Sequence, residues 1–189
     1  MPTIDFTGQL QGTDKLRELV LYVCTASEQD EAFGSVKLNK LLFYSDFLSY
    51  LERGSPITGQ EYFKLEFGPA PRLMRPLMDD MKAREQLAIA ERSYFGRKQK
   101  KPVALREAHL TGFTAQEIAT VDQVLRTFQE HNGREISELS HDFPGWQLAE
   151  EGETIPYSSA LLRKRELTAQ ERRWAQEIDM TGVEELLCA

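Results

Sequence analysis

The stretch VKLNKLLFYSDFLSYLERG, from Val36 to Gly54, decides how the rest of the chain is read. On a helical wheel, Val36, Leu38, Leu41, Leu42, Phe43, Tyr44, Phe47, Leu48, Tyr50 and Leu51 cover most of the circumference. A helix that is apolar nearly all round is packed on several sides rather than one. The spacing therefore predicts a central buried helix over about 36–53, begun after Ser35 and stopped at Gly54. Asn39, Asp46 and Arg53 recur every seven residues and make a narrow polar seam. Lys37 and Lys40 interrupt the apolar arc. A buried unpaired charge is too costly to keep. Each lysine must snorkel to water, find an acidic partner, or face a binding partner where the helix is uncovered. Asp46 is expected to pair with Lys or Arg across the core or to contact a partner.

Outward from this helix, the pattern stays mainly α. Residues 1–12 read as a polar lead-in. Thr13 is a candidate N-cap for a helix whose face is Leu16, Leu19, Val20 and Val23. Gly and Pro in GSPITGQEYFKLEFGPAP break any helix, leaving room for a short strand within 62–67. Leu73, Leu77, Met78 and Met81 restore helical spacing, with Pro76 at a kink or in the first turn. LAIAERSYF (87–95) and PVALREAH (102–109) read as two strands joined by the polar loop GRKQKK, a small β-hairpin over about 87–109. TAQE at Thr114–Glu117 has capping-box form and opens a helix through Ile118, Val121, Val124, Leu125 and Phe128, with Gly133 as its stop. A short helix covers 136–141, and FPGWQLAEEGETIPY reads as loop. TAQE returns at Thr168–Glu171 and opens a C-terminal helical tail over about 160–189. The whole is expected to be one mainly α domain built round the central helix.

The totals agree with one domain: 189 residues suffice to bury a core without disulfides or metals. The net charge is −7, which disfavours nonspecific binding to nucleic acid or anionic lipid. Cys24 and Cys188 have no metal-spaced neighbours. The N-terminus lacks signal-peptide character, and no apolar run approaches the ~20 residues of a membrane span. A cytoplasmic protein without cofactor or metal is expected.

Within VKLNKLLFYSDFLSYLERGSPITGQEYFKLEFGPAP, Lys37, Leu38, Lys40, Leu41, Leu42 and Asp46 are followed by Gly54, Pro56, Ile57, Thr58, Gly59 and Tyr62, then by Gly68 and Pro69. This ordered set resembles the Panacea domain, also called the SocA-like antitoxin-associated domain. Phe43–Tyr44 reverses the commoner Tyr-Phe order, and GPAPRLMRP is richer in proline than the pattern. The resemblance implies a protein-binding antitoxin that neutralises a cognate toxin by direct contact, with some relatives delivering the toxin to a protease. It implies no catalytic residue and no cofactor.

G-S-P-I-T-G lacks the G-K-[ST] ending of a phosphate loop and reads as a structural turn, with Gly59 free to take a positive φ. His141–Asp142 has no nucleophile motif beside it. Trp146 is either a core plug or an interface anchor. Between Glu130 and Glu153 stand seven acids against one base, Arg134. Glu150, Glu151 and Glu153 are therefore candidates for the rim of a toxin-facing surface, alongside Trp146 and the Lys37, Lys40 and Asp46 arc. The alternative is a nucleic-acid-binding regulator using the basic hairpin 92–106, with Arg92, Arg97, Lys98, Lys100, Lys101 and Arg106 beside Tyr94 and Phe95. Lysines guarding a sheet edge explain the same charges.

Overall fold

Helix α2 runs from Ser35 to Arg53 and ends where Gly54 turns into the left-handed region at φ 73°. A computed structural model describes residues 12–162. Among them α2 is the hub: helices on three sides and both small sheets pack against it. The polar seam is internal. Asp46 is buried, and Arg53 is half-buried, donating to Ser49 and Thr120. The apolar arc is not closed, because Val36 and Leu51 are exposed.

In chain order the elements are α1 (Gly12–Ala26), α2, β1 (Tyr62–Phe63), β2 (Ala70–Pro71), α3 (Met74–Ala83), β3 (Leu87–Tyr94), β4 (Arg97–Ala104), α4 (Ala115–Thr127), α5 (Gly133–His141), α6 (Pro144–Leu148) and β5 (Thr154–Ile155). Short 3-10 turns cover Leu110–Gly112 and Tyr157–Leu161. The main core joins α1, α2, α3 and α4 through Leu16, Leu19, Val20, Val23, Leu38, Leu41, Leu42, Leu77, Met81, Val121 and Val124. A second, aromatic core gathers Phe43, Phe47, Tyr62 and Ile155, with Phe143, Trp146 and Tyr157 packed around it.

Local signals explain several elements. Thr114 and Glu117 close the expected capping box on α4. Pro76 lies in the first turn of α3, where its missing N–H would have no helical partner anyway. Thr13 sits inside α1 rather than capping it, since the helix already includes Gly12.

Other expectations are corrected. The hairpin turns at Phe95–Gly96, and RKQKK is strand rather than loop. Both turn residues have positive φ, +46° and +75°, the pattern of a type I′ turn. RKQKK looks like a loop because Lys98 and Lys100 face solvent, while Gln99 and Lys101 point inward. Gly133 opens α5 instead of stopping α4. Asn132 caps it by accepting from the Arg134 and Glu135 amides, and Glu135 returns the bond. FPGWQLAEEGETIPY holds α6 and β5. The latter pairs antiparallel with β1, giving a three-stranded sheet in the order β2–β1–β5. Residues 1–11 of the lead-in, the second TAQE with the tail beyond residue 162, and Cys188 lie outside the described residues, while Gly12 already belongs to α1.

Candidate functional site

The polar residues of α2 tie the family-like motif together from inside. Asp46 is fully buried and accepts from the Thr58 amide at 2.7 Å, the Thr58 hydroxyl at 2.5 Å and the Tyr62 hydroxyl at 2.8 Å. Burial pushes its carboxyl above the usual carboxylate range, and the hydrogen bonds from Thr58 and Tyr62 oppose that shift. Gly59 follows at φ +66°, letting the chain double back so that Tyr62 meets the same carboxylate. Phe43, Phe47 and Tyr157 pack their rings round Tyr62, and the Tyr157 hydroxyl donates to the Gln60 carbonyl at 2.6 Å.

Lys37 and Lys40 are each 2% exposed. Lys37 pairs with Asp30 at 2.7 Å and donates to the Gln129 carbonyl at 3.1 Å, joining the α1–α2 connection to the end of α4. Lys40 neither snorkels to water nor finds an acidic partner. It donates to the Pro69 carbonyl at 3.0 Å, and burial pulls its ammonium group down to about 7. The loop fits closely over it. At φ +87°, a Cβ on Gly68 would lie 2.6 Å from Lys40 Cε and would also strike the Ser140 hydroxyl. Gly68 therefore needs both a positive φ and the absence of a side chain.

This arrangement gives a pH signature. The unfolded lysine holds its proton to about pH 10.4, whereas the folded one gives it up near 7. Between these values the unfolded chain binds more protons, so the Lys40 contribution makes stability rise with pH. Below about 7 both states are protonated and the full burial penalty applies. Relative to Lys40→Met, the wild type is expected to gain of the order of 2–3 kcal/mol between pH 6.5 and 9.5. Urea unfolding at the two pH values checks this. A pH-independent difference would mean that the buried amine stays charged.

Over this interior lies a partly apolar surface. His141 stacks on Trp146 with ring centroids 4.2 Å apart. Lys64 Nζ sits 4.2 Å from the Trp146 ring centroid and donates to the Ala149 carbonyl. The indole N–H donates to the Leu65 carbonyl at 3.3 Å. Burial and the nearby Lys40 charge both lower the proton affinity of His141. Ser137 donates to the Phe67 carbonyl at 2.6 Å, so loop 64–68 is tied to both α5 and α6. Phe67 is 64% exposed and Leu148 75%, with Leu139 exposed on α5.

Glu150, Glu151 and Glu153 are exposed on the turn before β5. The turn is fastened by Lys64, whose amide donates to Glu153 O at 2.9 Å and whose carbonyl accepts from the Gly152 amide at 2.9 Å. The structure thus places Trp146 and the three glutamates around one loop, and sends Lys37, Lys40 and Asp46 inward. Lys64, Phe67 and Ser137 carry no site signal in the sequence, and His141 stood out there only as a histidine without a nucleophile beside it. Their positions depend on contacts about 70–85 residues apart, which no local pattern carries.

The basic hairpin is divided in the same way. Lys101 turns inward to the carbonyls of Glu28 and Asp30, both at 2.8 Å, and Arg106 clasps Glu18 through both terminal nitrogens. Arg92, Lys98 and Lys100 remain exposed. Among the described residues no group of His, Cys, Asp and Glu is placed to hold a metal ion. No helix among them is long and apolar enough to cross a membrane.

No curated protein and no solved structure matches the chain. The sequence pattern of the antitoxin SocA-like, Panacea domain matches residues 38–147. That span includes Lys40, Asp46, the Thr58–Tyr62 turn, Gly68–Pro69 and Trp146. Lys37 and the 150–153 turn fall just outside it. Since the match covers more than half of the chain and runs through each of these ties to α2, the protein belongs to the antitoxin SocA-like, Panacea domain family.

Proposed function

We propose that this protein is a cytoplasmic antitoxin that neutralises a cognate toxin by direct contact, without catalysis and without a cofactor. Membership of an antitoxin family supports the role. The observation that carries the location is the face formed by loop 64–68, α5, α6 and the 150–153 turn. There, exposed Phe67 and Leu148 stand on elements that also carry the exposed acids Glu66, Glu138, Glu150, Glu151 and Glu153. Neighbouring cations are engaged: Arg134 pairs with Glu138, Arg72 with Glu61, and Lys64 with the Trp146 ring. An apolar centre with a charged rim is how proteins recognise one another, and an acidic rim suits a toxin whose anionic substrate demands a basic surface. Lys40, through the Pro69 carbonyl, and Asp46, through Tyr62, hold that face in shape from below.

The test is to express the adjacent reading frame with and without this protein. The expected result is a neighbour that is toxic alone, harmless in combination and recovered in complex. A neighbour that is harmless alone and does not co-purify would overturn the reading. Repeating the experiment in a protease-deficient strain separates occlusion, which still protects, from delivery to a protease, which does not.

The triple reversal Glu150→Lys, Glu151→Lys, Glu153→Lys addresses the face itself. Rim charges act mainly on association rate. Association with the toxin is expected to slow by about tenfold at low salt, with the gap closing as salt rises. Unchanged kinetics in a folded variant would move the face elsewhere. Chelator treatment is expected to leave the melting temperature unchanged, and a drop of several degrees would reveal a bound metal.

A further inference from the structure

Phe95 is 90% exposed, more than any other large apolar side chain among the described residues. It also holds a backbone φ of +46°. The first position of a type I′ hairpin turn favours Asn, Asp or Gly, and a bulky aromatic residue there is strained. The fold therefore carries two unfavourable features at one residue. Lysines protecting a strand edge would account for the charges of the hairpin, but edge protection has no use for an exposed ring on a strained turn. Strain of this kind collects at functional positions.

The rest of the hairpin is built to present that ring. Tyr94 meets Phe95 edge-on, with centroids 4.7 Å apart at 89°, and so supports it from beneath. The hairpin is anchored to the body through Lys101, through Gln99, which donates to the Ala32 carbonyl, and through Ser35, which donates to the Lys100 carbonyl. Among these anchors the side chains of Arg92, Lys98 and Lys100 stay exposed. Glu91 is the sole acid between Leu87 and Arg106, and it stands opposite Lys100 in the strand register.

We propose that the tip of the β3–β4 hairpin binds single-stranded nucleic acid, with Phe95 stacked on an unpaired base and Arg92, Lys98 and Lys100 on the flanking phosphates. A flat apolar ring between cations matches the chemistry of a nucleotide chain, in which a π-face and an anion recur together. An acidic protein surface would answer the charge but not the ring. A duplex keeps its base faces within the stack, out of reach of an edge-supported ring. The acidic body does not forbid the contact, because charges more than about 10 Å away are largely screened at 0.1 M salt. The surface is separate from the α5–α6 face, so this activity stands or falls independently of toxin binding.

The experiment uses the full-length protein and fluorescence anisotropy with labelled oligo-dT and oligo-rU of about 20 nucleotides, long enough for a single stacking platform. Binding to either is expected at about 50 mM salt, with log affinity falling against log salt at a slope near −2, as about three neutralised phosphates require. Phe95→Asn is expected to bind at least about tenfold more weakly, in line with the loss of one stacked base. Its melting temperature is expected to equal or exceed that of the wild type, since Asn suits the turn. Loss of binding together with retained stability separates recognition from folding. The double reversal Lys98→Glu, Lys100→Glu is expected to abolish binding. The proposal is overturned if the wild type binds neither oligonucleotide, if Phe95→Asn binds as the wild type does, or if a duplex of the same length binds as tightly as the single strand.

Discussion

Leu42→Ala is expected to lower the unfolding free energy by about 2–5 kcal/mol, measured as a shift in the urea midpoint at constant slope. Leu42 is fully buried on α2, in the core shared with α1, α3 and α4. Cutting its isobutyl side chain back to a methyl takes away transfer free energy and leaves a void that α2, packed on several sides, cannot collapse to fill. The control is Leu51→Ala on the same helix. Leu51 is 51% exposed, and its loss is expected to stay within about 0.5 kcal/mol. A loss below about 0.5 kcal/mol at Leu42 would refute the central-helix reading.

The second large effect is at Asp46. Asp46→Ala leaves the Thr58 amide, the Thr58 hydroxyl and the Tyr62 hydroxyl without their acceptor in a fully buried place. An unsatisfied buried donor costs about 1–3 kcal/mol. Part of the total is returned, because the substitution also removes a carboxylate that burial disfavours. A net loss of about 3–5 kcal/mol is expected. Asp46→Asn keeps one acceptor oxygen and should fall between the wild type and Ala. If Ala proves as stable as Asn, the carboxylate is not what fastens the Thr58–Tyr62 turn to α2.

Much of this construction could be read from the sequence wherever the signal was local. The apolar spacing of 36–51 located α2, and Thr114 with Glu117 located the start of α4, because both patterns fall within one or two helical turns. Gly54 was legible as a stop for the same reason. Phe95–Gly96 was missed as a turn because a phenylalanine at positive φ is no turn signal, and the cluster RKQKK drew the loop to itself. Asn132 and Glu135 have capping-box spacing, but Gly133 between them read as a stop. Strands of two residues, such as β2 and β5, have no periodicity to detect. The partners of Asp46 and Lys40 were out of reach for a different reason. A carboxylate satisfied by a hydroxyl pair and an amine satisfied by a carbonyl leave no complementary charge in the sequence to search for.

The pairing of β1 with β5 also sets a schedule. Phe63 meets Thr154, so at about 5–20 residues per second a ribosome needs roughly 5–18 s to make the intervening chain of about 90 residues. Until then β1 has no β5 beside it, and the 150–153 turn cannot be clamped by Lys64. Contacts between such distant segments are also slow to close, because the loop entropy must be met before the strands reward it. Helices α1 to α4 can therefore assemble while the acidic turn is still unmade. The newborn chain can assemble its helical core before this surface is finished, and a transcript or polypeptide cut short before Thr154 would give a protein with the α1–α4 core formed, the aromatic core short of Ile155 and Tyr157, and the proposed toxin-facing side unclosed.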